Sequence, residues 1–180
     1  MTKSAVDRYN MVAIILHWAM AFAIIGLWGV GHVIDLIPKG PGRTEVVMLH
    51  KAVGVIVLVL AVARLVWRLT RPRPSLPVTM PPFEQWLAHA GHAALYVLML
   101  LIPIDGVLMS QSGGRPVSVF GLVLPVFVAK NEALRDIFKA GHEVLGWVLA
   151  VVLAGHVIAA LRHHFVLKDD ILRRMLPSRR

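Results

Sequence analysis

Residues 141–162 read GHEVLGWVLAVVLAGHVIAALR. Between Glu143 and Arg162 no Asp, Glu, Lys or Arg interrupts the run. A bilayer crossing needs about 20 mostly apolar residues. Backbone amides in lipid must be paired within the segment unless a barrel closes, so such a run is a helix. Its apolarity is continuous rather than alternating, which excludes a barrel strand. Two histidines stand in it, His142 and His156. Fourteen residues apart, they share one helix face, roughly 40° from alignment and roughly 21 Å apart along the axis. One helix therefore offers a nitrogen ligand toward each membrane face.

Three comparable blocks precede this one. The four spans predicted are about 11–33, 46–67, 86–109 and 143–161, forming a single transmembrane domain over 1–180, an all-α integral membrane four-helix bundle. The hydrophobic share of 57% is above that of a soluble domain and is gathered in these blocks. The connections are short and rich in Pro, Gly and charge, leaving no room for a soluble domain. The first block is too long for a signal peptide and lacks a small-residue cleavage site, so it is expected to be retained. A fifth apolar stretch, Val117–Val128, is too short to cross; with Gly121 and Pro125 in it, it is expected at the membrane surface. Pro103 lies inside the third span, and the Pro-rich segment from Arg71 to Pro77 reads as an extended linker.

The net charge of +9 belongs to topology, not to nucleic acid. With four spans, both termini share a side with the 71–85 linker. That side carries Lys3, Arg8, Arg64, Arg68, Arg71, Arg73, Arg162, Lys168, Arg173, Arg174, Arg179 and Arg180, which is 12 of the 19 basic residues, against 7 opposite. The positive-inside rule then puts both termini in the cytoplasm. Cysteine is absent, which excludes disulfides, thiolate zinc sites, iron–sulfur clusters and covalent haem attachment. Non-covalent haem, which histidine alone can ligate, stays open.

Nine histidines in so apolar a chain are the informative feature. Ionisable groups inside spans are costly and mark sites or paths. A single histidine there is commonly a hydrogen-bonded packing residue; a set that agrees in depth is not. His17 and His156 both lie near the cytoplasmic ends of their spans, and His50 and His142 near the outer ends. Two pairs result, one per leaflet, each with one member on the fourth span. A six-coordinate haem needs two axial nitrogens on opposite faces of a flat ring, and facing helices supply them. At the cytoplasmic depth His92 is a third candidate, so any two of His17, His92 and His156 suit that site. Gly26, Gly54, Gly91, Gly141, Gly146 and Gly155 lie near the histidines, where a macrocycle needs room, although helix packing also uses glycine. Arg64, Arg68 and Lys139 are placed for haem propionates, or else snorkel. A metal-ion reading would combine histidines with Asp105 and Glu143, but carboxylates meet histidines at only one place.

The ordered set of motifs resembles the bacterial cytochrome b561 family, which is related to the cytochrome b subunits of nickel–iron hydrogenases. The matching pieces are His17-Trp18, His50-Lys-Ala-Val-Gly54 with Arg64, the Arg-Pro-Arg-Pro linker, Ala88-His-Ala-Gly-His92 with Leu95-Tyr96, Gly141-His-Glu143, and the tail from His156 through His163-His164-Phe165 to Leu172-Arg-Arg-Met-Leu-Pro177. The resemblance spans nearly the whole chain. It implies an inner-membrane protein with two haem b groups. It also implies the ligands: His17 with His156 toward the cytoplasm, and His50 with His142 toward the periplasm. His92, Arg64 and Arg68 then stand behind the ligands. One member of the family oxidises superoxide and reduces ubiquinone.

The expected function is thus electron transfer across the membrane, of superoxide:ubiquinone oxidoreductase type. One alternative is a cytochrome b anchor and conduit for a partner dehydrogenase subunit; another is a histidine-based ion transporter without haem. No dinucleotide fingerprint is present. For the quinone, the candidates at the cytoplasmic end are His163, His89, Arg71 and Arg73. His163 lies two turns beyond His156 on nearly the same face. Capping of the helix end is the competing role for His163 and His164.

Overall fold

The structure is a computed structural model that describes residues 8–72, 74–77 and 79–177. Four long helices dominate it: α1 (Met11–Val33), α2 (Pro41–Thr70), α3 (Pro82–Ser112) and α4 (Glu132–Arg162). All four are long and apolar enough to cross a membrane. The protein is an all-α, multi-pass membrane four-helix bundle.

Three helices outrun their apolar blocks, because their starts are set by local chemistry rather than by hydropathy. Pro41 and Pro82 occupy first-turn positions, where a missing N–H costs nothing. The Asn131 side chain accepts from Leu134 N at 3.1 Å and starts α4 three turns before the apolar run. Asn10 caps α1 in the same way, and its Oδ1 also accepts from Trp67 Nε1 at 3.1 Å, which ties α1 to the end of α2. Pro103 is accommodated within α3.

Packing is uneven. α3 runs along both α2 and α4, and α1 runs along α2, while α4 keeps a wider separation from α1 and α2. The wider gap is crossed by aromatic rings, among them Trp28 of α1, whose Nε1 donates to Gly146 O of α4 at 3.1 Å and whose ring meets Trp147 edge-on. Large apolar residues point outward instead: Phe22, Val59, Val97, Val151 and Ile158 are all exposed. That is the pattern of a bundle solvated by lipid, whose neighbours are as apolar as its own core.

At the end opposite the termini, residues 113–131 form a short hairpin, β1 (Ser118–Val119) against β2 (Leu122–Val123), in register Ser118↔Val123 and Val119↔Leu122. Its two-residue turn puts Phe120 and Gly121 at φ 48° and 91°, matching the strand twist. Buried Gln111 pins the hairpin, donating to Pro125 O at 2.7 Å and accepting from Phe127 N at 2.8 Å. At the other end the tail folds back. Arg8 donates to the carbonyls of Arg173 and Leu176, and Trp18 Nε1 to Met175 O at 2.7 Å.

Candidate haem sites

Two pairs of histidines face each other across the gap beside α4. His17 of α1 and His156 of α4 have ring centroids 6.2 Å apart, with planes 65° apart. His50 of α2 and His142 of α4 have centroids 6.3 Å apart, with planes 66° apart. The two arrangements are nearly the same although α4 is partnered by α1 in one and by α2 in the other. Two metal–imidazole bonds of about 2.0–2.1 Å plus two ring radii of about 1.1 Å come to about 6.3 Å. Each pair therefore stands at the separation at which one metal would be held from opposite sides. His92 does not: its ring lies 5.3 Å from His156, and its Nδ1 is engaged with Ala88 O at 2.6 Å.

The polar groups around the two pairs differ in sign. Near His17 and His156 stands Arg64, which donates from Nε to Tyr96 Oη at 3.2 Å and from Nη1 to Ala13 O at 3.4 Å. The Arg68 guanidinium lies over the Tyr96 ring, 5.4 Å from its centroid. Beside His142 stands a carboxylate, Asp105 Oδ2, 3.4 Å from Nδ1.

The chain matches prokaryotic cytochrome b561 over residues 8–178. The protein is a member of the prokaryotic cytochrome b561 family. Cytochrome b561 homolog 2 of Escherichia coli is 35% identical, over 94% of this chain and 92% of that one. Probable superoxide oxidase CybB of Yersinia pestis is 32% identical, over 96% and 98% respectively. Cytochrome b562 of Cereibacter sphaeroides is 30% identical, over 95% and 96%. Family membership makes this chain a membrane b-type cytochrome that carries electrons, with haem b as its cofactor.

The residues present fit a b561 haem. The Nδ1 of His50 is buried without a hydrogen-bond partner, as expected of a ring held for another purpose than packing. Gly54 of α2, Gly91 of α3 and Gly146 of α4 face space in which an added Cβ would meet no protein atom within 4 Å. Those positions accept a flat ring close to the backbone. No group of three or more His, Cys, Asp or Glu side chains able to hold a bare metal ion occurs among the described residues.

The quinone candidates have different surroundings. His163 opens a π-helical turn, His163–Leu167, is nearly buried, and binds Asp169 Oδ2 through Nδ1 at 2.5 Å. Asp169 is brought back by Lys168, which adopts a left-handed conformation at φ 56°. His89 is exposed on α3, and Arg71 is exposed with its guanidinium over the Trp67 ring, 4.9 Å from the centroid. No hydrogen bond joins either to His163 among the described residues. Arg73 lies outside the described residues. The Nδ1 of His164 is buried without a partner and its ring meets Phe165 edge-on, with centroids 4.7 Å apart.

Two contacts of His142 escape a sequence reading. Gly106 of α3 is one: a Cβ there would stand 3.0 Å from His142 Cε1. Asp105 is the other, visible in the sequence as a lone charge in a span but with no signal for which histidine it meets. Gly141, counted in the sequence with the glycines that make room for a macrocycle, makes room for this carboxylate. A Cβ at 141 would stand 3.2 Å from Asp105 Oδ1.

Proposed function

We propose that this chain is a di-haem superoxide:ubiquinone oxidoreductase of the inner membrane, with both termini in the cytoplasm. His17 and His156 would hold the cytoplasmic haem, and His50 and His142 the periplasmic one. The observation that carries the reading is the pair of equivalent histidine separations, 6.2 and 6.3 Å, on three helices at two depths. When bound, the haems supply one-electron chemistry, which lets a one-electron donor serve a two-electron acceptor. The balanced reaction takes two superoxide anions to two dioxygen molecules, while one quinone gains two electrons and two protons to become quinol.

The chain's own residues have separable parts in this. The four imidazoles fix position and spacing. Arg64 anchors α1 to α3 beside the cytoplasmic site and keeps a positive charge there, which favours arrival of an electron. At the other end Lys130 and Arg135 pair with Glu132, so the cations that would draw in a small anion are Lys51, whose Nζ donates to Pro116 O at 3.5 Å, and Arg115. His163 is the group proposed to hold and pass a proton. Its Nδ1 is held by Asp169, which leaves Nε2 for a quinone carbonyl. An apolar groove of about 270 Å³ at the same end, lined by Met11, Ile14, Ile15, Trp18, Phe22 and Leu176, suits an isoprenoid tail.

The test is stand-alone activity. Purified protein, with no second subunit, is given superoxide and a short-chain ubiquinone, and quinol is measured. Quinol formation above the uncatalysed rate is the expected result. Retention of haem with no turnover unless a second subunit co-purifies would favour the anchor and conduit role instead.

A further inference from the structure

The two histidine pairs are alike in geometry but not in surroundings, and Asp105 is the difference. It lies within the span of α3, its side chain about 15% exposed, with Oδ2 buried and 3.4 Å from His142 Nδ1. The approach depends on two dipeptides laid against each other. Asp105-Gly106 of α3 faces Gly141-His142 of α4. Gly106 leaves room for the imidazole and Gly141 leaves room for the carboxylate, with Cβ clearances of only 3.0 and 3.2 Å. A side chain at either glycine would push the partner away. A charge in a span is costly unless it has a use, and this one is aimed at a proposed iron ligand. No carboxylate contacts His17, His50 or His156 among the described residues, whereas the charged group at the other pair is Arg64, which donates to Ala13 O one turn before His17.

Resting on the ligand pairs proposed above, we infer that Asp105 is a positioning residue for His142. It holds the ring through Nδ1 so that Nε2 is the ligating nitrogen, and it biases the His50–His142 haem toward its oxidised form. The physical cause is twofold. A carboxylate accepting from the Nδ1–H of a ligating imidazole fixes its orientation and raises its basicity. A negative charge close to the iron also favours the ferric over the ferrous state. With Arg64 doing the opposite at the other pair, an electron entering at the His50–His142 site moves downhill toward His17–His156. The charges thereby give the wire a direction.

The experiment is spectroelectrochemical titration of purified holoprotein, parent against Asp105→Asn and Asp105→Glu, with haem content measured alongside. In Asp105→Asn both haems should be kept. The reduced-to-oxidised ratio of the His50–His142 haem should rise about tenfold at a given potential, a shift of about 59 mV for one electron, with the other haem unmoved. Asp105→Glu, which keeps the charge, should return most of that shift. Unchanged midpoints in Asp105→Asn would overturn the inference, as would equal shifts in the Asn and Glu variants. Should Asp105→Asn shed that haem, its recovery in Asp105→Glu supports the inference and its loss in both overturns it. His142→Ala separates the two levels. If that variant keeps both haems, the ligand assignment itself fails; if it loses one while Asp105→Asn moves nothing, only the role of Asp105 fails.

Discussion

Substituting Gly106 by Ala adds one methyl group beside His142. Its carbon would stand 3.0 Å from Cε1, 3.4 Å from Nδ1 and 4.0 Å from Nε2 of that ring. Carbon atoms pack best at about 3.5–4.0 Å, so the imidazole must retreat by about 0.5–1.0 Å. Overfilling a packed site costs about 1–3 kcal/mol, which corresponds to about 5- to 150-fold weaker holding of whatever the ring ligates. Alanine is also the better helix former by about 1 kcal/mol, so α3 itself should not suffer. The His17–His156 site lies roughly 21 Å away along α4 and serves as an internal control. The assay is haem per protein after purification, together with the rate at which haem is lost to an excess of apomyoglobin. One haem should be retained at the parental rate and the other released faster. Equal, parental retention of both would refute the close fit of His142 against α3.

Other expectations follow from single contacts. Gly54→Ala and Gly146→Ala meet no protein atom within 4 Å, so protein packing alone predicts no harm; we expect lowered haem content with unchanged expression, and normal content would place the macrocycle elsewhere. His92→Ala should keep two low-spin haems, since its Nδ1 is already bonded to Ala88 O and its ring stands too close to His156 for a metal between them. His163→Ala, with both haems present, should slow quinol formation by about 10²–10⁴-fold if the ring delivers the proton, and parental turnover would reduce it to a residue of the π-helical turn. Hydrogen bonding to Arg174 holds the Asp170 carboxyl below the usual carboxylate range. Its small stabilisation is therefore present above the unfolded value and lost as pH falls through the folded one. Asp170→Asn should speed trypsin cleavage of the tail near neutral pH, and unchanged cleavage would make the pair ornamental.

The bundle was legible because its signal is one-dimensional. Hydropathy along 141–162 and its three counterparts suffices to fix four crossings, and lipid then demands helix. The helix ends were less legible. Asn131 starts α4 at Glu132, where the chain is still polar, so a reading guided by apolarity begins that span near Glu143. The histidine pairs could be proposed from depth alone, but depth left His92 in competition with His17 and His156. Ring separations of 5.3 against 6.2 Å are a three-dimensional distinction that spacing cannot make. The approach of Asp105 to His142 is of the same kind. Thirty-seven positions separate the two residues, and only the packing of α3 on α4, through two glycines, brings them together. The His163–Asp169 contact was hidden for another reason: it depends on a π-helical turn and a left-handed Lys168, neither of which has a strong sequence signal.

The most direct measurement is haem stoichiometry in the parent and in four single variants, read from the reduced-minus-oxidised spectrum and the haem-to-protein ratio. Loss of an axial ligand opens a coordination position and leaves its haem poorly held. The parent should carry two low-spin b haems. His17→Ala and His156→Ala should lose the same one, His50→Ala and His142→Ala the other. A parent with a single haem, or two low-spin haems surviving any of the four changes, would contradict the assignment.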